Sequence, residues 1–210
     1  ALDIASRCFS PDSRDPRSRD DLFYIQGLNN SIVPALVKER ALPLLKLLAA
    51  WLENTIVSAR STTPTGDDYS YIWRVEIESD RGGYDSDFAS NMVDCFRDGL
   101  EKAVECGSLS LLDSLELLAN RRLLIFRRFR LHMITEFATQ NAKIVRMTIL
   151  DKNAFCDYRL KHEYSRLIGK TFSMLTDVEQ AQWLEWIDTG FGFDKRVEGD
   201  DADEEKNAKR

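Results

Sequence analysis

Apolar residues recur along most of this chain at helical spacing, separated by short polar breaks, and that rhythm predicts helices over residues 21–193. The stretch around which the rest is organised is NRRLLIFRRFRLHMITEF, residues 120–137. On a wheel of 100° per residue, Leu123, Phe126, Met133, Ile134 and Phe137 fall in one sector, and Leu124, Leu131 and Ala138 widen it. A helix this apolar needs neighbours on two sides. Arg121, Arg128, His132 and Thr135 line up on the opposite side. Arg127 and Arg130 project within or at the edge of the apolar sector. An unpaired guanidinium is costly there, so both are expected to find carboxylates on other helices.

Upstream, Asp20 and Asp21 suit a first helical turn, with Leu22, Phe23 and Ile25 as its apolar face. Gly27-Leu-Asn-Asn reads as a break, after which Ser31 caps a new helix with Pro34 in its first turn. The dense run from Leu42 to Ile56 predicts a major core helix ending near Arg60, which Pro43 either kinks or divides. Residues 61–70 read as a loop. The next segment, YSYIWRVEIE, alternates like a strand, but a lone strand is not stable. An irregular segment or short helix lying over the others is expected. With a turn at Arg81-Gly-Gly-Tyr84, residues 61–84 form a non-helical insertion.

Beyond it, Ser86 or Asp85 caps a helix that Gly107 closes. Ser110 with Asp113 opens a shorter one to Leu118, Asn120 precedes the arginine helix, and Asn141 opens a helix to Leu150. Asn153 opens a longer one through Phe172. Thr176-Asp-Val-Glu179 is a capping box for a last helix, with Trp183, Leu184, Trp186 and Ile187 on its apolar face, which Gly190 stops. The longer helices start about 34 and 33 residues apart, each followed by a shorter one. The expected fold is therefore all-α, an irregular α-solenoid-like array of helix-turn-helix units of HEAT or tetratricopeptide type, with one non-helical insertion. Neither the tetratricopeptide nor the ankyrin consensus is present, and an irregular bundle is the alternative.

Residues 1–20 are rich in Ser, Asp, Arg and Pro and read as a flexible arm, and residues 194–210 as a charged, disordered tail. The formal charge of −6 and pI of about 5.1 argue against a general nucleic-acid binder without excluding a local basic patch. No apolar run reaches bilayer length, and the scattered Cys8, Cys95, Cys106 and Cys156 suit reduced thiols in a cytoplasm. The Ala at position 1 and the charged end fit a section of something longer.

Phosphate-binding loops, nucleophile elbows and zinc-protease motifs are absent. His132 and His162 have no spacing that demands a metal, and no cofactor or metal is expected. Asp157 and Glu163 beside Arg159, Lys161 and Arg166 read as surface ion pairs. Two groups remain as partner-binding candidates: Tyr71, Trp73, Arg74 and Tyr84 in the insertion, and Arg121, Arg128 and His132 as a basic stripe.

The strings WRVEIE at 73–78, RFRLH at 128–132, and HEYSRLI with TDVEQAQWLEWIDTG within 162–190 resemble a helical segment of large bacterial multidomain proteins of the STAND-type NTPase, defence-associated kind. The resemblance spans about the last two-thirds of the chain and carries no catalytic residue. It implies a scaffold or sensor module contacting a protein partner or flanking domains. The alternative is a nucleic-acid-binding helical domain using the Arg121–His132 stripe.

Overall fold

The computed structural model describes residue 25 and residues 27–60, 62–78 and 88–190. The arm at 1–20, the start near Asp20, the caps at Asp85 or Ser86, Tyr84 and the tail at 194–210 lie outside the described residues. Among those described, all regular structure is helical.

Gly27-Leu-Asn-Asn is not a break. Gly27 is itself right-handed helical, and a π-helical turn Leu28–Ile32 runs without a side-chain cap into α1, Val33–Ala59. Pro34 sits in the first turn of α1, where its missing N–H costs little. Pro43 lies inside, and Arg40, three residues before it, leaves helical geometry at φ −141°, ψ 40°. The proline ring would clash with a carbonyl one turn back, so the chain kinks there and continues. Val33, Val37, Ala41, Leu44, Leu45, Leu48, Leu52 and Ile56 make one buried stripe along α1.

The remaining helices are α2, Ser70–Trp73; α3, Phe88–Glu105; α4, Leu111–Ala119; α5, Leu124–Glu136; α6, Ala142–Ile149; α7, Lys152–Cys156; α8, Lys161–Thr171; and α9, Asp177–Asp188. The pairing of α1 with α3 is the most extensive. Gly99 permits it, since a Cβ there would lie 3.3 Å from both Leu45 Cδ2 and Val33 Cγ1. α5 packs against α4 on one side and α8 on the other, with α2 and α6 also touching it. Phe96 of α3 meets Phe126 and Phe129 of α5 edge-on, with centroids 5.9 and 5.0 Å apart. α5 is thus enclosed, as its apolar width requires, although it begins at Leu124 and ends at Glu136 rather than spanning 120–137.

Three caps fall where the sequence puts them. Ser110 accepts from the Asp113 N–H, Asn141 from the Ile144 N–H, and Thr176 with Glu179 completes a capping box. Gly107 and Gly190 take positive φ at helix ends. Further expectations change. Residues 61–84 are not a non-helical insertion, since their described part contains α2, Ser70–Trp73. The long helix from Asn153 is broken into α7, a 3₁₀ turn at Tyr158–Leu160, and α8, because Asp151 and then Asp157 each cap a fresh start. The apolar face of α9 is only partly covered: Trp183 and Trp186 pack on Phe155, while Leu184 and Ile187 are exposed. No helix of the described residues is long and apolar enough to cross a membrane.

Candidate functional site

Residues 66–78 form a strap, containing α2, that lies across the start of α5. Gly66 has φ +88°, and a Cβ there would meet the Arg122 carbonyl oxygen at 2.3 Å, so glycine alone fits. The Gly66 carbonyl accepts from the Leu124 N–H at 2.9 Å. Leu123, the residue before α5, supplies no side-chain cap. The buried carboxylate of Asp68 does so instead, its Oδ2 accepting from the Ile125 N–H at 2.8 Å and its Oδ1 from the Ser70 N–H at 2.8 Å. A negative charge at a helix N-terminus also meets the positive end of the dipole. Trp73 Nε1 donates to the Asp68 carbonyl at 2.8 Å, and the Arg60 guanidinium lies 5.1 Å over its ring.

Three arginines fasten the second half of the strap. Arg74, fully buried, donates to the Glu76 carbonyl and pairs with Asp94 of α3. Arg97 donates to the Ile77 carbonyl and pairs with Asp94 and Asp98. Arg128 of α5 donates to the carbonyls of Arg74 and Val75, at 2.6 and 2.9 Å, and holds both oxygens of Glu163 of α8. Both side chains of that last pair are shut off from water, at 0% and 1% exposure. Ile77 is buried at the end of the strap.

Beside the strap runs a line of hydrogen-bonded side-chain pairs. His132 Nε2 lies 2.5 Å from Glu101, His162 Nε2 lies 2.6 Å from Glu78, and Arg166 and Lys170 converge on Glu136. Burial alone would raise the Glu136 pKa, but the hydrogen bonds and charges of Lys170 and Arg166 outweigh it and hold the carboxyl below its usual range.

Between the strap and α8 lies an open groove of ≈ 620 Å³. Tyr71 forms one wall and Tyr158 the other, their rings meeting edge-on at 5.5 Å. Their hydroxyls are 3.4 Å apart, and that contact, with burial and the nearby Asp67 charge following, pushes the Tyr71 phenol up to about 12. Every charged residue lining the groove is cationic: Arg128, Arg159, Lys161 and Arg166, joined by His162. Lys161 is exposed and has no carboxylate partner among the described residues. Ile72 and Val75 are exposed on the strap.

Asp157 braces the groove from outside, bonding Arg159 at 2.7 Å and Arg127 at 3.0 Å. Burial raises its pKa, but Arg159 and Arg127 more than offset this, so the net shift is downward. A lowered carboxylate pKa stabilises the fold at neutral pH, and that contribution disappears as pH falls through the folded value. Asp157→Asn should therefore lower stability at pH 7, with the deficit closing once the pH falls well below the ordinary 3.8, as read by urea denaturation at several pH values. A deficit that stays constant with pH would assign the loss to the turn cap instead.

The structure rearranges the sequence-derived candidates. Arg128 and His132 are buried and paired, and Arg121 bonds Glu53 at 2.9 Å, so these three do not form a surface stripe. The wheel placed them opposite the apolar sector, but the strap and the ends of α1, α3 and α8 cover that side as well. Arg127 has its expected carboxylate, whereas Arg130 is exposed with no ion pair among the described residues. Glu163, read as a surface residue, is the buried partner of Arg128. Arg74 and Trp73 hold the strap rather than face solvent, and Tyr71 alone of the described insertion candidates lines the groove. Tyr158 and Lys161 were missed as site residues. The cluster of Arg159, Lys161, His162 and Arg166 was their only sequence signal.

These features define the protein as an all-helical domain with a cationic, aromatic groove beside an arginine-fastened strap. No known family model matches the chain, and no curated protein or solved structure matches it.

Proposed function

We propose that this chain is a non-catalytic interaction module, an irregular array of helix pairs that docks an acidic segment of a protein partner in the groove between the strap and α8. One observation carries the reading: in a chain of net charge −6, the charged residues lining this groove are all cationic, and two tyrosines flank them. Tyrosines combine apolar area with a polar tip at low entropic cost, and charge complementarity guides encounter. The pairings of α4 with α5, α5 with α6, α6 with α7 and α7 with α8 support the array, and the resemblance to helical segments of STAND-type proteins supports a sensing or scaffolding role in a longer chain.

The test is fluorescence anisotropy with a labelled octapeptide of alternating Glu and Tyr, its Lys counterpart, and a labelled single-stranded oligonucleotide. The acidic peptide should bind, more weakly as salt rises. Lys161→Glu should weaken it by about tenfold without altering the thermal melt. The reading fails if the acidic peptide does not bind at low salt or binds the variant equally well. Tighter binding of the oligonucleotide would transfer the groove to nucleic acid, for which stacked tyrosines and cations are also suited.

A further inference from the structure

At the end of the strap, the carboxylates of Glu76 and Glu78 approach His162 of α8, one donor atom from each lying within 4.8 Å of the others. Three of the four carboxylate oxygens are uncommitted among the described residues. The Glu76 carboxylate has no hydrogen bond or ion pair among the described residues, and Glu78 Oε2 is buried without a partner. A buried carboxylate oxygen with nothing to accept from is uncommon and asks for an explanation.

We propose that Glu76, Glu78 and His162 form a binding site for a divalent transition-metal ion of the zinc type. The donor set is one imidazole nitrogen and two carboxylates. Imidazole favours zinc and its neighbours, whereas magnesium and calcium prefer oxygen alone. Tetrahedral zinc at about 2.1 Å from each donor spaces the donors about 3.4 Å apart. His162 Nε2 and Glu78 Oε1, now 2.6 Å apart, then open slightly around the ion, while the flexible Glu76 side chain closes in.

The site is preorganised where it matters. Both glutamates sit on a backbone whose carbonyls are held by Arg74 at Glu76 and by Arg97 at Ile77. The surrounding cations do not consume the site's charge. Arg74 and Arg97 are matched by Asp94 and Asp98, Arg128 by Glu163, and Arg166 chiefly by Glu136, although its Nε also lies 3.5 Å from Glu78 Oε1. Two carboxylates thus remain to neutralise a doubly charged ion. The site joins the strap to α8 and does not depend on the peptide-docking reading.

Isothermal titration of the full chain with Zn²⁺ under reducing conditions tests it, with the visible spectrum of Co²⁺ as a second readout. One ion should bind, and magnesium should not compete. Glu76→Gln and His162→Gln should each weaken Zn²⁺ binding by at least about tenfold. Glu76→Gln removes no hydrogen bond or ion pair among the described residues, so its loss of affinity is not an unfolding effect. Because Cys106 is exposed and free, a Cys106→Ser variant is titrated in parallel and should bind normally. The proposal is overturned if Zn²⁺ does not bind, if Glu76→Gln and His162→Gln bind as well as the parent, or if only Cys106→Ser loses the ion.

Discussion

Replacing Arg128 by Met should lower the stability of the chain by about 3–5 kcal/mol, measured by guanidinium denaturation, although methionine nearly matches the arginine stem in length. The loss has two sources. Glu163 is left as a carboxylate with 1% exposure and no counter-ion. The carbonyls of Arg74 and Val75 lose their donors, so the second half of the strap is no longer tied to α5. These can be separated. A double variant, Arg128→Met with Glu163→Leu, removes the stranded charge, and well-packed apolar replacements of buried ion pairs are often neutral or better. It should recover much of the stability but not the strap. Limited proteolysis within residues 74–78 should remain faster than in the parent chain. If the double variant also restores protection of the strap, the arginine acts through charge pairing alone. A single-variant cost under about 1 kcal/mol would mean the pair is not buried in solution.

Helix positions were largely legible in the sequence because caps and apolar stripes are local. Ser110, Asn141 and Thr176 needed only the three residues after them, and Leu44, Leu45, Leu48, Leu52 and Ile56 of the Leu42–Ile56 run lie in the buried stripe of α1, although Leu42 itself is exposed. What failed was non-local. Arg128 is bound to a carboxylate 35 residues onward and to two main-chain carbonyls on the strap, and main-chain acceptors leave no mark on a side-chain pattern. The alternation of residues 69–78 sets Tyr69, Tyr71, Trp73, Val75 and Ile77 against Ser70, Ile72, Arg74, Glu76 and Glu78. In the fold Tyr69 and Val75 are exposed, while Asp68, Ser70 and Arg74 are buried. Beneath this strap lie a helix N-terminus and a row of carboxylates, so its polar side turns inward. Hydrophobic periodicity assumes an apolar interior, and it misassigns a segment that seals a polar one. The groove escaped for the same reason. Its walls, Tyr71 and Tyr158, are 87 residues apart.

Asp68→Ala should cost about 2–4 kcal/mol, the second-largest effect expected, although Asp68 belongs to no helix of the core. Two buried N–H groups, of Ser70 and Ile125, lose their acceptor, and the start of α5 loses its negative charge. No neighbouring side chain stands ready to substitute, because Leu123 is apolar and the Gly66 carbonyl is already engaged with Leu124. Asp68→Asn keeps one acceptor oxygen and should cost roughly half as much. Hydrogen exchange locates the effect: the amides of Ser70 and Ile125 should lose protection in Asp68→Ala, while those in the middle of α3 follow global stability only. The same variant should weaken the acidic peptide, since Tyr71 rides on the strap that Asp68 positions and Lys161 is untouched. Unchanged peptide affinity alongside lost protection would show that the strap holds α5 but is not a wall of the binding groove. Unchanged protection at Ile125 would show that α5 is capped by another group, and the strap would then lose its role as the element linking the groove to the core.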